Sequence, residues 1–383
     1  MTEAIKHNDQ LCLSPESLWD ALHSTFNTAQ NHQTNIKILN DIVHKPMAQW
    51  APFSKEELKQ VIAKYNDSLA PGLDKLLWRH LKIIIKQDEC LTNITNIANV
   101  CINLGHWPDY FKHSSTIIIP KPNKLSYDHV KMFCFIVHLN TLGKLMEKVI
   151  AERIQFTVMK NNFIHPCQLG GLKFKSTMDA GVALIHIVRS RWAKGKSTST
   201  LAFDISQFFL SLNHNLLMTT LSKTGLEPKV SKFFADYLVQ RKMNYVWNNL
   251  QSLEFEVNVG IGQEFALSPI LSALYLALFL HILEKHLKIL KTPISMLSFV
   301  DDGLIIAQNN SIPILNSQLF CSYNVLSNLL TDFGLVIEHG KTEISHFTRS
   351  YGEFNPPPLN LSPLGGPVLC PKDSWKYLGF LFD

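Results

Sequence analysis

Three aspartates stand out as residues whose type and spacing could do chemistry. Asp204 follows the apolar run Thr200-Leu201-Ala202-Phe203, and Asp301 and Asp302 stand side by side between Met296–Val300 and Leu304–Ala307. These short apolar runs predict a buried strand that delivers Asp204 at its end and a hairpin that carries Asp301-Asp302-Gly303 in its turn. Two adjacent like charges on a hairpin repel one another unless cations neutralise them. Phosphoryl transfer onto a 3′-hydroxyl brings such cations, because two divalent ions roughly 3.5 to 4 Å apart contact both the attacking and the leaving oxygen. Asp204 and Asp301 would bridge the ions, with Asp302 supporting. Mg²⁺ or Mn²⁺ fits, since both accept carboxylate and water ligands.

The elements that must position these acids belong to a packed globular chain of 383 residues, 46% hydrophobic and 17% charged, which excludes disordered and collagen-like classes. The net charge is +5, but residues 112–196 hold 14 Lys and Arg against Asp128, Glu147, Glu152 and Asp179, a local +10 beside a remainder near −5. A basic block next to an acidic remainder suits a polyanion groove beside a cation-binding carboxylate site. Seven scattered cysteines lack the paired spacing of a zinc site or disulfide framework and read as buried small hydrophobes. The apolar run Leu271–Leu283 is short of the roughly 20 residues a bilayer span needs. Residues 1–10 are polar, so an intracellular protein without signal peptide or membrane anchor is expected.

Residues 1–50 are polar with amphipathic fragments and no clear motif. Ser54-Lys55-Glu56-Glu57 reads as a capping box for a helix with Leu58, Val61, Ile62 and Tyr65 on one face, stopping before Ala70-Pro71-Gly72. Further helices are expected at 78–85, 92–104, 141–153, 179–192, 216–224, 228–240 and 268–290. Thr116–Ile119 reads as a strand closed by Pro120, and Asn244–Trp247 with Leu253–Val257 reads as a hairpin around Asn248-Asn249.

At this point the chain resembles the reverse transcriptases of non-LTR (LINE-type) retrotransposons, particularly copies in fungal genomes. The resemblance covers roughly residues 50–383 and rests on Ala202-Phe203-Asp204-Ile205-Ser206-Gln207-Phe208-Phe209, Gly262-Gln263 with Ala266-Leu267-Ser268-Pro269, and Phe299-Val300-Asp301-Asp302. Ile118-Ile119-Pro120-Lys121-Pro122, Leu139-Asn140 with Gly143-Lys144, Gly340-Lys341-Thr342 and Trp375-Lys376-Tyr377-Leu378-Gly379 follow the same order. The resemblance implies an α+β right-hand polymerase fold: an N-terminal extension over 1–50, fingers over 51–197, and a palm over 198–383 with an antiparallel sheet backed by helices. The reverse transcriptase domain itself would span about 100–383. It further implies an RNA template, a DNA primer and deoxynucleoside triphosphates as partners, an active form in the nucleus, and catalytic and metal-binding roles for Asp204, Asp301 and Asp302.

By the same resemblance Phe209 lies under the incoming sugar and excludes a 2′-hydroxyl, Gln263 opens the long helix and contacts the nucleotide together with Ile205, and Ser268-Pro269 starts that helix. Lys121 meets phosphate or template, and Lys341 protonates or neutralises the leaving pyrophosphate, as a compact mobile cation can. Tyr377-Leu378-Gly379 forms the hairpin that seats the primer end.

Four places depart from the family pattern. Cys134-Phe135-Ile136 stands where Arg-Pro-Ile is usual, Glu264-Phe265 where Gly-Ser follows Gly262-Gln263, and Leu73 and Leu210 where proline is usual. Glu264 would add negative charge near a triphosphate and Phe265 bulk where backbone approaches substrate. All these changes can arise by C-to-T or G-to-A transitions, the mark of cytosine deamination. A mutated copy that folds but binds nucleotide poorly is therefore expected. With no endonuclease before residue 50 and no helical thumb after Phe382-Asp383, an incomplete element is expected as well. The alternative reading is a relic that keeps the polymerase fold and only binds nucleic acid. An intron-encoded maturase would carry a following RNA-binding helical domain, and a small-molecule enzyme would show a phosphate-cradling glycine loop or a nucleophile elbow.

Overall fold

The structure is a computed structural model that describes residues 5–7, 10–69, 71–72, 74–248, 250–263, 265–289, 294–349, 356–372 and 374–382. Leu73 and Glu264, two of the departures from the family pattern, lie outside the described residues, as do Ala70, Asn249, Leu290 and Asp383. The chain gathers into two units, each built from several stretches: the described parts of Met1–His32, Ile42–Asn161 and Phe209–Leu271 in the first, and of Gln33–Asp41, Asn162–Phe208 and Ser272–Asp383 in the second. Helices and sheets are mixed in both, so the chain is α+β.

In the first unit a five-stranded sheet has the order 133–138, 113–120, 241–247, 250–251, with 255–257 also on 241–247. His113–Pro120 pairs antiparallel with Phe133–His138 and parallel with Arg241–Trp247. It is longer at its start than the apolar core Thr116–Ile119 indicated, because His113, Ser114 and Ser115 find ladder partners in Lys242, Met243 and Asn244. Alternation along Phe133–His138 buries Phe133, Phe135 and Val137 and leaves Cys134, Ile136 and His138 partly exposed. Phe135 edges against Phe26 at 3.9 Å and packs in a core with Ile118, Val130 and Tyr245. The expected hairpin around Asn248 forms, with Trp247 opposite Leu250, and resumes at Phe255–Val257.

Helix formation follows the capping chemistry. Ser54 Oγ accepts from the Glu57 N–H at 3.2 Å while Glu57 accepts from the Ser54 N–H at 2.8 Å, and Lys55–Ala63 buries Leu58, Val61 and Ile62. Tyr65 stacks on Trp78 at 3.6 Å, tying that helix to Trp78–Ile84. Pro15–Phe26, in the region read as lacking a motif, is also a boxed helix, with Ser14 and Ser17 as its pair.

The second unit holds a four-stranded antiparallel sheet of order 343–347, 197–204, 302–309, 294–299. On one face Leu304, Ile306 and Leu297 pack with Ala180, Leu184 and Val188 of the helix Thr177–Trp192. On the other, Phe203, Ile305 and Met296 meet Leu276, Phe279 and Leu283 of the helix Ser268–Ile289. That 22-residue helix is apolar and long enough by composition to cross a bilayer, but 78% of its apolar window is buried inside the protein. The helix Ile312–Asp332 also backs the sheet, though sequence reasoning passed over it. Its Leu315, Leu319, Tyr323 and Leu326 are fully buried at helical spacing, a signal that was legible.

Candidate active site

The ladder of the second unit brings the carboxylates together. Ser197–Asp204 and Asp302–Asn309 pair so that Asp204 stands directly opposite Asp302, and opposite residues of an antiparallel pair project from the same face. The Ile205 N–H donates to the Asp301 carbonyl at 3.1 Å, which carries the pairing one step past the acids. The turn differs from the expected Asp301-Asp302-Gly303. It is made by Val300 and Asp301, whereas Asp302 and Gly303 are already strand residues. Gly303 leaves room for its cross-strand partner, since a Cβ would sit 2.1 Å from the Phe203 ring and force that ring to shift.

Val300 has φ of +58°, in the left-handed region that a β-branched residue enters only under strain, worth about 1–3 kcal/mol. A segment missed in the sequence holds the turn in place. Gln168 bridges Ser298, the Leu169 N–H donates to the Ser298 carbonyl at 2.8 Å, and Gly170 lies so close that a Cβ would meet the Val300 nitrogen at 2.4 Å. The signal was Gly170-Gly171 after buried Gln168 and Leu169.

Lys341 reaches this cluster from the far side of the sheet edge. Its Nζ donates to Asp204 Oδ2 at 2.6 Å. The backbone around it is anchored by the Glu338 N–H on the Asp204 carbonyl at 2.9 Å and by Ser206 Oγ on Glu338 Oε2 at 3.3 Å. Glu338 is a second residue that sequence reasoning missed, because nothing local marks it.

Electrostatically the site is an anion cluster. Burial, then the charges of Asp301 and Asp204, against the pull of Lys341, raise the Asp302 carboxyl from 3.8 to about 6. Burial and the Asp204 charge raise Asp301 as well, despite its own backbone hydrogen bond and Lys341. For Lys341 partial burial opposes the charge, but the Asp204 hydrogen bond and the three carboxylates outweigh it and raise its pKa. Carboxylates that repel one another in this way fit divalent cations. Among the described residues no group of three or more His, Cys, Asp or Glu is drawn tightly enough to cage an ion. Mg²⁺ needs no such cage, taking one or two carboxylates with waters and substrate phosphate.

Tyr377, Leu378 and Gly379 form the expected hairpin in the second unit. Trp375–Tyr377 pairs with Phe380–Phe382, and the two turn residues Leu378 and Gly379 have φ of +47° and +89°, as a type I′ turn requires. The Tyr377 phenol is raised by burial and then by the charge of Asp302, and its hydroxyl has no hydrogen-bond partner among the described residues.

The remaining sequence candidates lie in the first unit. Phe209 is half-buried, and its carbonyl accepts from the Ile261 N–H at 2.8 Å. Lys121 is partly exposed with its ammonium on the Lys131 carbonyl at 2.8 Å. Gln263 does not open the long helix: it is an exposed turn residue, and the helix starts at Ser268, whose hydroxyl donates to the Gly262 carbonyl at 2.6 Å. Phe265 packs beside Gly262, where a Cβ would meet its ring at 2.3 Å. It is buried with Val137 and Leu139, and Arg241 lies over its ring at 4.6 Å. Fully buried Glu147 accepts from Tyr237 Oη at 2.7 Å and from the Ala266 N–H at 3.0 Å, fixing the segment that follows Gln263.

Residues 119–382 match the family model described as reverse transcriptase (RNA-dependent DNA polymerase). The RNA-directed DNA polymerase from mobile element jockey of Drosophila funebris is 22% identical over 332 residues, which cover 87% of this chain and 35% of that protein. Its Drosophila melanogaster counterpart is 22% identical over 351 residues, 90% of this chain and 37% of the relative. The chain thus spans about a third of the length of the curated relatives it matches.

Proposed function

Because the chain belongs to the reverse transcriptase (RNA-dependent DNA polymerase) family, we propose that it adds deoxynucleotides to a primer 3′-end on an RNA template, as part of a non-LTR (LINE-type) retrotransposon. The observation that carries this reading is the register that sets Asp204 opposite Asp302, with Asp301 in the adjoining turn and Lys341 on Asp204. In this reading residues 51–197 are fingers and 198–383 a palm, with 1–50 an N-terminal extension, and the protein works in the nucleus.

Asp204, Asp301 and Asp302 are the residues that would hold Mg²⁺ or Mn²⁺. Such ions, when bound, stabilise charge on the attacking and leaving oxygens of in-line displacement at the α-phosphate. The chain's own part is positioning. Lys341 keeps a proton beside Asp204, where the leaving pyrophosphate would take up its charge. Ile205, Gln263 and Lys121 contact nucleotide or template, Phe209 selects against a 2′-hydroxyl, and the Tyr377-Leu378-Gly379 turn seats the primer. The unpartnered Tyr377 hydroxyl supports that seat, since a buried hydroxyl without a partner costs about 1–3 kcal/mol.

A second reading, a relic that only binds nucleic acid, is favoured by Cys134, which occupies a partly exposed strand position where the family carries arginine. Primer extension on an RNA template with each divalent ion separates the two. Metal-dependent extension that Asp301→Ala/Asp302→Ala abolishes supports the polymerase. Nucleic-acid binding without extension from either protein supports the relic.

A further inference from the structure

At the opposite end of the same sheet lies an open cavity of about 200 Å³ that the polymerase reading leaves unused. Ser345 and His346 form its floor, on the edge strand Glu343–Phe347, and Trp192, Phe347, Trp375 and Phe382 supply aromatic walls. Ser345 pairs with Thr200, four residues before Asp204, so the cavity floor lies about 13 Å along the strand from the carboxylates at ~3.3 Å per residue. It is therefore a separate site.

Three features of the cavity point to one ligand chemistry. Its walls hold aromatic rings fixed by packing: Trp375 lies 5.5 Å from Phe382 and 6.4 Å from Phe347, and the Trp192 indole N–H donates to the Phe347 carbonyl at 3.3 Å. Its floor carries hydrogen-bonding capacity. Ser345 is 5% exposed and its hydroxyl has no partner among the described residues, as is true of its cross-strand neighbour Thr200. Its surroundings are cationic. Trp192 closes a helix whose last turn carries Arg189 and Arg191, Lys194 and Lys196 follow it, Arg349 donates to the Trp192 carbonyl at 3.4 Å, and Lys372 lines the rim, paired with Glu343. A planar heterocycle attached to phosphates matches all three, because unpaired bases stack on aromatic side chains, hydrogen-bond through their edges and sit beside basic residues that meet the backbone. The cavity, at about 200 Å³, is a small open recess.

We propose that this cavity is an accessory site for single-stranded RNA, seating one unpaired base between Trp192 and the Trp375 hairpin, with adjoining phosphates on the 189–196 stretch. The choice of RNA rests on the family reading, while the site itself is independent of the carboxylates. It would hold the template strand away from the reaction centre.

The test is tryptophan fluorescence and anisotropy of the full chain in chelator, titrated with a labelled single-stranded RNA oligonucleotide and with the same sequence as a duplex. The expected result is tighter binding of the single strand with tryptophan quenching, weakened about fivefold or more in Ser345→Leu, which fills the cavity, and in Trp192→Leu, which removes a wall. Chelator keeps catalysis out of the readout, so a failed polymerase reading leaves this result standing. Unchanged affinity in both variants, or equal affinity for duplex, overturns the proposal. Should Ser345→Leu lose its native circular dichroism, Trp192→Leu decides alone.

Discussion

Asp302 is an acid held in the wrong company for an isolated chain. Its carboxyl is raised from 3.8 to about 6 by burial first and by Asp301 and Asp204 second. A group whose folded pKa exceeds its unfolded one costs stability where it is ionised. The cost is absent below about pH 4, grows as pH climbs through the window up to 6, and is complete above it. Asp302→Asn removes it, so in chelator the variant melts higher than wild type at pH 7.5, by about 1–2 kcal/mol after allowance for solvent screening, and the gain vanishes by pH 4. Thermal melts across that range check the sign. A gain independent of pH would mean that charge crowding is not the cause. Glu147 is likewise raised by its burial, but its carboxyl is met by hydrogen bonds from Tyr237 and Ala266 and by the charge of Arg241. Glu147→Ala strands Arg241 and frees the segment after Gln263, so we expect a loss of about 3–5 kcal/mol in chemical denaturation and faster amide exchange at Ala266 and Leu267.

Among the elements, the turn at Val300-Asp301 is under strain at a β-branched residue, and it keeps its shape because Gln168–Gly170 lies along its strand. Gly170→Ala places a methyl 2.4 Å from the Val300 nitrogen. The expected outcome is a destabilisation of about 1–3 kcal/mol with disproportionate loss of metal affinity, read by melting and metal titration. This brace shows where sequence reasoning reached its limit. The strand ending in Asp204, the paired aspartates and the Ser54 capping box were legible because apolar runs and capping are local patterns. The exact turn was not, since Asp302 and Gly303 become strand residues only when Asp204 and Phe203 pair with them. Gln168–Gly170 acts through distant backbone groups and leaves only Gly170-Gly171 as a mark, and Glu338 carries no local signature. Gln263 was placed at the helix start, which is instead set by Ser268 donating to Gly262. Phe265, read as bulk where backbone approaches substrate, is buried beside Arg241, Val137 and Leu139, contacts that no local pattern announces.

At the level of the whole molecule, the two units divide the resemblance between them: the carboxylates, Lys341 and the Tyr377 hairpin in one, and Lys121, Cys134, Phe209 and Gln263 in the other. Damage to the first-unit residues proposed to contact nucleotide can therefore silence turnover while the carboxylate site of the second survives. Metal binding reports on that site without depending on turnover. The decisive measurement is a titration of Mn²⁺ into the full chain at pH 7.5, following the free ion by electron paramagnetic resonance, beside the Asp301→Ala/Asp302→Ala protein. The account predicts that wild type depletes the free-ion signal, that Mg²⁺ restores it by competition, and that the double variant leaves it unchanged. Equal depletion by both proteins would contradict the assignment of Asp301 and Asp302 as ligands and, with it, the two-metal site.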